Sequence, residues 1–292
     1  MANFRESSTM NPVKNSKRNK ILRKFSSHVG GMIGVIILLI LIFIATFAHV
    51  IAPYDPLKVS PIDSLLPPSS QYWMGTDTLG RDIMSRVIYG ARISLRLGVV
   101  SVSIAFTFGV FIGVVAGYFG GRIDGFLMRI IDILLAFPSL ILALIAIFAL
   151  GPGLTNAMIA VGISSIPAFA RVTRSEVLSV KESLYVQSAQ ALGSPSTSIM
   201  LRHILPNIIA PNIVMAALMT GTAILAGASL SFLGLGAQSP TPEWGLMLSQ
   251  GRGFMSRAWW LTFFPGLGIM VTVMSMNLLG DGLRDVLDPR MN

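Results

Sequence analysis

Few side chains in this sequence could do chemistry, and their spacing limits what that chemistry could be. The 292 residues include 3 histidines and no cysteine. His28, His49 and His203 are far apart, so none has the second ligand at useful spacing that a metal site needs. His28 and His49 flank an apolar run and read as polar anchors. Thiolate catalysis, disulfides and cysteine-held metals are excluded. No lysine follows a glycine, which removes the Gly-x-x-x-x-Gly-Lys-Ser/Thr loop that cradles nucleotide phosphates, and neither His-Glu-x-x-His nor Gly-x-Ser-x-Gly occurs. One acid, Asp132, lies clearly inside an apolar segment. Such acids are candidates for transport chemistry. Arg129, however, stands three residues earlier on the same helical face, and the reading is that Asp132 pairs with Arg129 and serves structure. Whatever energy drives this protein must come from another molecule.

The remaining polar feature is a helix-forming island between apolar segments, Gln187-Ser188-Ala189-Gln190-Ala191-Leu192-Gly193. Tyr185 to Leu192 consists largely of good helix formers, and Gly193 supplies the left-handed residue that stops a helix. Ser194 can then cap, and Pro195 can occupy the first turn of a second helix. Helix, sharp break and helix between membrane spans would make a rigid knob for a partner to grip. An ordinary cytoplasmic loop is the other reading of the same residues.

The elements that must hold this island are apolar. Hydrophobic residues make up 53% of the chain and charged residues 12%, with a positive mean hydropathy, which fits a polytopic membrane protein. The net charge of +9 is explained by the positive-inside rule without invoking nucleic acid. Arg5, Lys14, Lys17, Arg18, Lys20, Arg23 and Lys24 against Glu6 place residues 1–28 in the cytoplasm. Gly30 to Ile51 is long enough to cross a hydrocarbon core of about 30 Å at about 1.5 Å per residue, and too long for a cleaved signal.

Beyond it, Pro53, Pro56, Pro61, Pro67 and Pro68 mark an irregular external segment. A short helix after Asp82, with Ile83, Val87 and Ile88 on one face, is expected to lie in the outer interface with its arginines snorkelling. A second span runs from about Leu97 to Gly117, where Gly109, Gly113 and Gly117 present a smooth packing face. A third, Phe126 to Leu150, is expected to kink at Pro138. A fourth covers Leu154 to Ala170, a fifth Ile208 to Leu235 and a sixth Leu261 to Leu279. Arg171, Arg174, Lys181 and Arg202 mark the polar island as cytoplasmic, and Trp244, Trp259 and Trp260 suit an aromatic belt near the interface.

Gln187-Ser188-Ala189, three residues, Gly193, then Leu205-Pro206 resembles the EAA loop of permease subunits in binding-protein-dependent ABC importers, Glu-Ala-Ala, three residues, Gly, nine residues, Ile, one residue, Leu-Pro. Gln187, Ser188 and His203 depart from it, with Ile204 one residue on. The run from Gly75 to Leu95, the end of the fifth span at Ser231–Gly236, the loop Pro240–Gly245 and the ending Gly280–Arg290 are similar to signatures of the second, or C-type, permease of peptide- and nickel-type systems. Together these motifs cover the chain from about residue 29 onwards.

The resemblance implies an all-α membrane protein with six transmembrane helices in the type I ABC importer permease fold. Its divisions would be a basic cytoplasmic tail (1–28), a first transmembrane helix and external segment (29–92), a five-helix permease core with the coupling loop (93–282) and a cytoplasmic tail (283–292). By the same resemblance, Gln187, Ser188, Ala189, Gly193, Leu205 and Pro206 would couple the chain to an ATPase. Expected partners are a homologous B-type permease, two ATPase subunits, an external solute-binding protein and the lipid bilayer of the bacterial inner membrane, with no nucleic acid. This chain would bind no cofactor; ATP and Mg would sit on the ATPase subunits, and the chain would itself be no enzyme. The solute would be a dipeptide or oligopeptide, or alternatively nickel or a metal chelate. A stand-alone secondary transporter or channel is the reading from another class, for which Asp132 is the sole candidate coupling group.

Overall fold

The computed structural model describes Phe25 and residues 28–287. The expectations for the basic tail before Phe25 and for the end from Asp288 onwards lie outside the described residues. Among those residues the chain is helical, with one isolated β-bridge between Thr76 and Asp82. In chain order come α1 (Val29–Thr46), α2 (Ala48–Ile51), a 3-10 turn (Pro61–Asp63), α3 (Ile83–Phe119), α4 (Gly121–Leu135) and α5 (Ser139–Leu150). They are followed by α6 (Leu154–Lys181), α7 (Leu184–Ala191), α8 (Ser196–Ile199), a π-helical turn (Met200–Ile204), α9 (Leu205–Phe232), α10 (Trp244–Gly251), a 3-10 turn (Arg252–Phe254) and α11 (Trp260–Leu287).

Among the described residues, four helices are long and apolar enough to cross a membrane: α1, α3, the stretch Ser196–Phe232 and α11. A fifth crossing results if α4 and α5 count together. This is fewer than the six spans expected. The expected fourth, Leu154–Ala170, forms the first part of α6, whose apolar character is diluted by Thr155, Asn156, Ser164, Ser165 and Arg171.

Pro138 does more than kink its span. Lacking an N–H and disfavouring the helical region for the residue before it, Pro138 separates α4 from α5, and the two axes meet at 96°. The last turn of α4 tightens accordingly, with the Phe137 N–H donating to the Leu134 carbonyl. Pro167, in contrast, lies inside a continuous α6, which passes the expected end at Ala170 and reaches Lys181.

Close helix packing at small residues holds the bundle together. The Gly109, Gly113 and Gly117 face does pack as expected, and its partner is α6: a Cβ at these positions would stand 2.4 Å from Phe169 Cβ, 2.6 Å from Thr173 Cβ and 2.8 Å from Val177 Cβ. Gly162 on α6 answers at 2.9 Å from Ile104. Gly31 and Gly34 bring α1 equally close to Gly282 and Leu279 on α11. Where lipid offers apolar side chains no advantage in water exclusion, such backbone approach supplies the dispersion contacts that associate helices.

Residues 75–86 form a buried frame at the start of α3 and not a separate snorkelling helix. Asp82 caps α3, its carboxylate accepting from Ser85 N–H at 2.7 Å, and α3 continues unbroken for 37 residues, about 55 Å. Arg86 is 1% exposed and donates to the Pro56 carbonyl at 3.1 Å. Asp77 accepts from Arg81 Nε at 2.6 Å and from the Leu79 and Arg81 N–H groups. Arg81 and Arg86 are therefore spent on satisfying a buried carboxylate and buried carbonyls, while Arg92 is exposed. Trp244 and Trp260 are also buried here, donating to the carbonyls of Val87 (3.0 Å) and Thr76 (3.1 Å); of the expected belt, Trp259 alone is exposed.

Candidate functional site

The polar island forms the predicted helix, break and helix. α7 ends in a left-handed Gly193 at φ 74°, with Ser194 N–H donating to Ala189 O and Gly193 N–H to Gln190 O. This pair of bonds is a Schellman closure, in which the residue after the helix must take positive φ. A Cβ on Gly193 would meet no atom within 4 Å, so the requirement for glycine comes from the backbone alone. The second helix starts later than its sequence suggests: Pro195 stands just before α8, and Ser194 makes no side-chain cap.

One face of α7 is clamped and the other is bare. Val186 and Ala189 are buried against Tyr118, Val177, Ile199, Ile204 and Ile208, joining α7 to α3, α6 and α9. Lys181 donates to the Tyr118 carbonyl at 2.6 Å, fixing the junction of α6 and α7 to the end of α3. Gln187 and Ser188 are exposed, Gln187 donating to the Glu182 carbonyl at 3.0 Å. Leu192 is 86% and Leu184 82% exposed, and Tyr185 and Leu201 are exposed as well. The EAA comparison did not single out these apolar residues; their signal lay in the few large apolar side chains that an otherwise polar island carries.

Leu205 and Pro206 begin α9. Because Pro206 cannot donate, the helix widens into the π-helical turn Met200–Ile204 just before it, and Leu205 N–H reaches back to Met200 O. Within that turn Ile204 is completely buried, while His203 is partly exposed, its ring tilted by 44° to that of Tyr185 at a centroid distance of 6.5 Å. The apolar contact expected one residue earlier is thus made by Ile204. Of the six site residues, Ala189 faces the core, Leu205 is half-buried, and Gln187, Ser188, Gly193 and Pro206 are exposed.

Asp132 does not pair with Arg129. Its carboxylate accepts from Arg171 on α6, and about two turns earlier on α4 Asp124 receives both Nε and Nη2 of Arg174. The sequence pointed to Arg129 because only neighbours on one helix are visible in it; Arg171 arrives from 39 positions away. These two pairs tie α4 to the part of α6 that leads into α7. A cavity of about 540 Å³ lies alongside them, lined in part by Met128 and Ala136. At the opposite end of the fold from α7, Glu243 is buried and caps α10, accepting from Gly245 and Leu246 N–H at 2.9 and 2.8 Å; burial raises its pKa above the usual carboxylate value, and those bonds oppose the rise.

Comparison with known proteins places these features in context. Residues 109–292 match the family described as "Binding-protein-dependent transport system inner membrane component", and residues 17–68 match "N-terminal TM domain of oligopeptide transport permease C". The dipeptide transport system permease protein DppC of Alkalihalophilus pseudofirmus is 46% identical over 278 residues, covering 95% of this chain and 88% of that protein. The di/tripeptide transport system permease protein DppC of Pseudomonas aeruginosa is 44% identical, covering 92% of this chain and 91% of its own. The glutathione transport system permease protein GsiD of Escherichia coli is 46% identical over 92% of this chain and 89% of its own. In structure, a chain of the MetNI methionine ABC transporter in an inward-facing conformation superposes with a TM-score of 0.59 at 19% identity, covering 70% of this chain and 98% of its own, which shows a shared fold. With its several membrane-crossing helices, a family profile over more than half its length and relatives at this identity, the chain belongs to the family of inner membrane components of binding-protein-dependent transport systems.

Proposed function

We propose that this chain is one permease half of an ATP-driven importer of short peptides. It pairs with a homologous permease, stands on two ATPase subunits that hold ATP and Mg, and receives solute from an external binding protein. The observation that carries the coupling is the construction of α7: a short helix locked by Val186 and Ala189 to three long helices, presenting Leu184, Tyr185 and Leu192 to the outside. A helix held this way transmits a push without deforming, because packed interiors are nearly incompressible. Gln187, Ser188, Ala189 and Gly193 shape the knob, and Leu205 and Pro206 return it to the membrane. The choice of a short peptide as solute is supported by the relatives, whose names specify dipeptide, di/tripeptide and glutathione transport.

In this reading both termini and α7 face the cytoplasm, and α6 makes a crossing of its own, giving six in total. Part of its polar side chain content turns inward and is tolerable in lipid: Thr173 donates to Asn212 at 2.7 Å, both fully buried. Asp132, ion-paired to Arg171, serves structure, so coupling passes through the partner ATPases.

The test is reconstitution of the four-subunit complex in vesicles with its binding protein. ATP-dependent accumulation of a labelled dipeptide is expected, and its absence with a correctly assembled complex would sink the proposal. Topology is checked by Ser196→Cys in this cysteine-free chain, which should react with an impermeant thiol reagent only from the cytoplasmic side.

A further inference from the structure

Where α4 breaks from α5, a cavity of about 250 Å³ opens between that break and the middles of α6 and α9. Four hydroxyl residues line it, Ser139, Ser164, Ser165 and Thr222, and no charged side chain does. Three of these hydroxyls have a fixed polarity. Ser164 and Ser165 both donate to the Val161 carbonyl at 2.9 Å, and Thr222 donates to the Met219 carbonyl at 2.9 Å. A hydroxyl carries one proton and two acceptor lone pairs, so each of the three has committed its proton to its own helix and retains only acceptor capacity. The rest of the wall is apolar, from Leu142, Val161 and Met219 among others.

We infer that this cavity is a contact station for the solute, in which the oxygens of Ser164, Ser165 and Thr222 accept hydrogen bonds from N–H groups of a peptide, its backbone amides or its terminal ammonium. The inference rests on the peptide-import reading and adds to it a place and a chemistry. An uncharged wall in which three of the four hydroxyls can only accept recognises what all short peptides share and ignores which side chains they carry. Its volume is below the range of about 300–1,000 Å³ usual for dedicated small-molecule pockets. That size suits brief contact during passage rather than tight holding. The break at Pro138 places the cavity next to a joint, so that a change in the angle between α4 and α5 would alter the width of the cavity.

Back-bonded serine and threonine also occur in membrane helices for purely structural reasons, so the experiment needs a readout that a structural role would not move. In the reconstituted complex, Ser164→Ala, Ser165→Ala and Thr222→Val are combined, and dipeptide uptake is measured per assembled complex. A fall of about tenfold is expected for losing several neutral hydrogen bonds to the moving solute. Independently, Ser165→Cys is exposed to a water-soluble thiol reagent during ATP turnover. Its modification should be slowed by saturating dipeptide with binding protein, and equally by dipeptides of unrelated side chains. Native-like uptake by the combined variant, or modification of the Ser165→Cys complex that dipeptide does not slow, overturns the assignment. If the combined variant fails to assemble, the protection experiment decides alone. Absence of uptake by the native complex would overturn the import reading itself, a result distinguishable from normal native uptake with an indifferent variant.

Discussion

The guanidinium of Arg171 on α6 donates to the carboxylate of Asp132 on α4, and Arg174, one turn further along α6, repeats the arrangement with Asp124, about two turns back along α4. Two helices, α4 and α6, are thereby joined by charge. The Arg171–Asp132 pair is more than half exposed on both sides. An exposed pair contributes about 0–1 kcal/mol. Asp132→Asn should therefore change thermal stability in detergent by no more than about 1 kcal/mol and leave uptake per assembled complex close to native. Asn at this position with normal assembly and abolished uptake would instead assign Asp132 to transport.

Gly113 offers a sharper test of packing. A Cβ there would lie 2.6 Å from Thr173 Cβ and 2.7 Å from the Ala170 carbonyl, neither of which can yield without moving α6. Gly113→Val should destabilise the bundle by roughly 1–3 kcal/mol or more, the usual cost of overpacking. Size-exclusion recovery and thermal unfolding should both fall. Gly125→Ala, where nothing lies within 4 Å, serves as the control and should behave like the native chain.

Gly193 tests the coupling knob. Its surroundings are open, so a side chain meets no clash, and the effect of substitution comes from its positive φ. A left-handed β-branched residue costs about 1–2 kcal/mol or more. Gly193→Val should insert normally yet lose uptake, with either loss of ATPase subunits on purification or ATPase activity indifferent to loaded binding protein. Gly193→Asn should recover much of the function, since asparagine tolerates this conformation. A valine variant normal in uptake, subunit retention and stimulated ATPase would remove the coupling role from this stretch.

Glu243 predicts a pH dependence. Burial raises its pKa in the folded protein above the unfolded carboxylate value, so the folded chain holds the proton more tightly. Its contribution to stability is then fully present below the unfolded pKa and is lost as pH rises through the folded pKa. Glu243→Gln cannot titrate and keeps an oxygen for the α10 cap. Unfolding temperatures measured across the acidic range should fall less steeply with rising pH in the variant than in the native protein, and identical slopes would contradict the assignment.

The sequence by itself determined the class of this protein, the helix stop at Gly193, the small-residue face of α3 and, through the EAA-like spacing and the flanking signatures, the family. Each of these follows from local chemistry: apolar runs of membrane length, a residue without Cβ where positive φ is needed, and one helical face read at constant spacing. The partners of Asp132 and Arg86, the burial of Trp244 and Glu243, the right-angled break at Pro138 and the exposure of Leu184 and Leu192 were decided by the tertiary structure. A charge selects its partner by distance in space, and Arg171 and Arg129 are equally plausible until α6 is laid beside α4. A proline announces a disturbance in one dimension, but the size of the bend depends on what the following helix packs against, here α6. Arg86 looks like an interfacial anchor in sequence, because burial depends on what folds over it, and the carbonyls that meet its guanidinium come from Pro56 and Pro240, far apart along the chain.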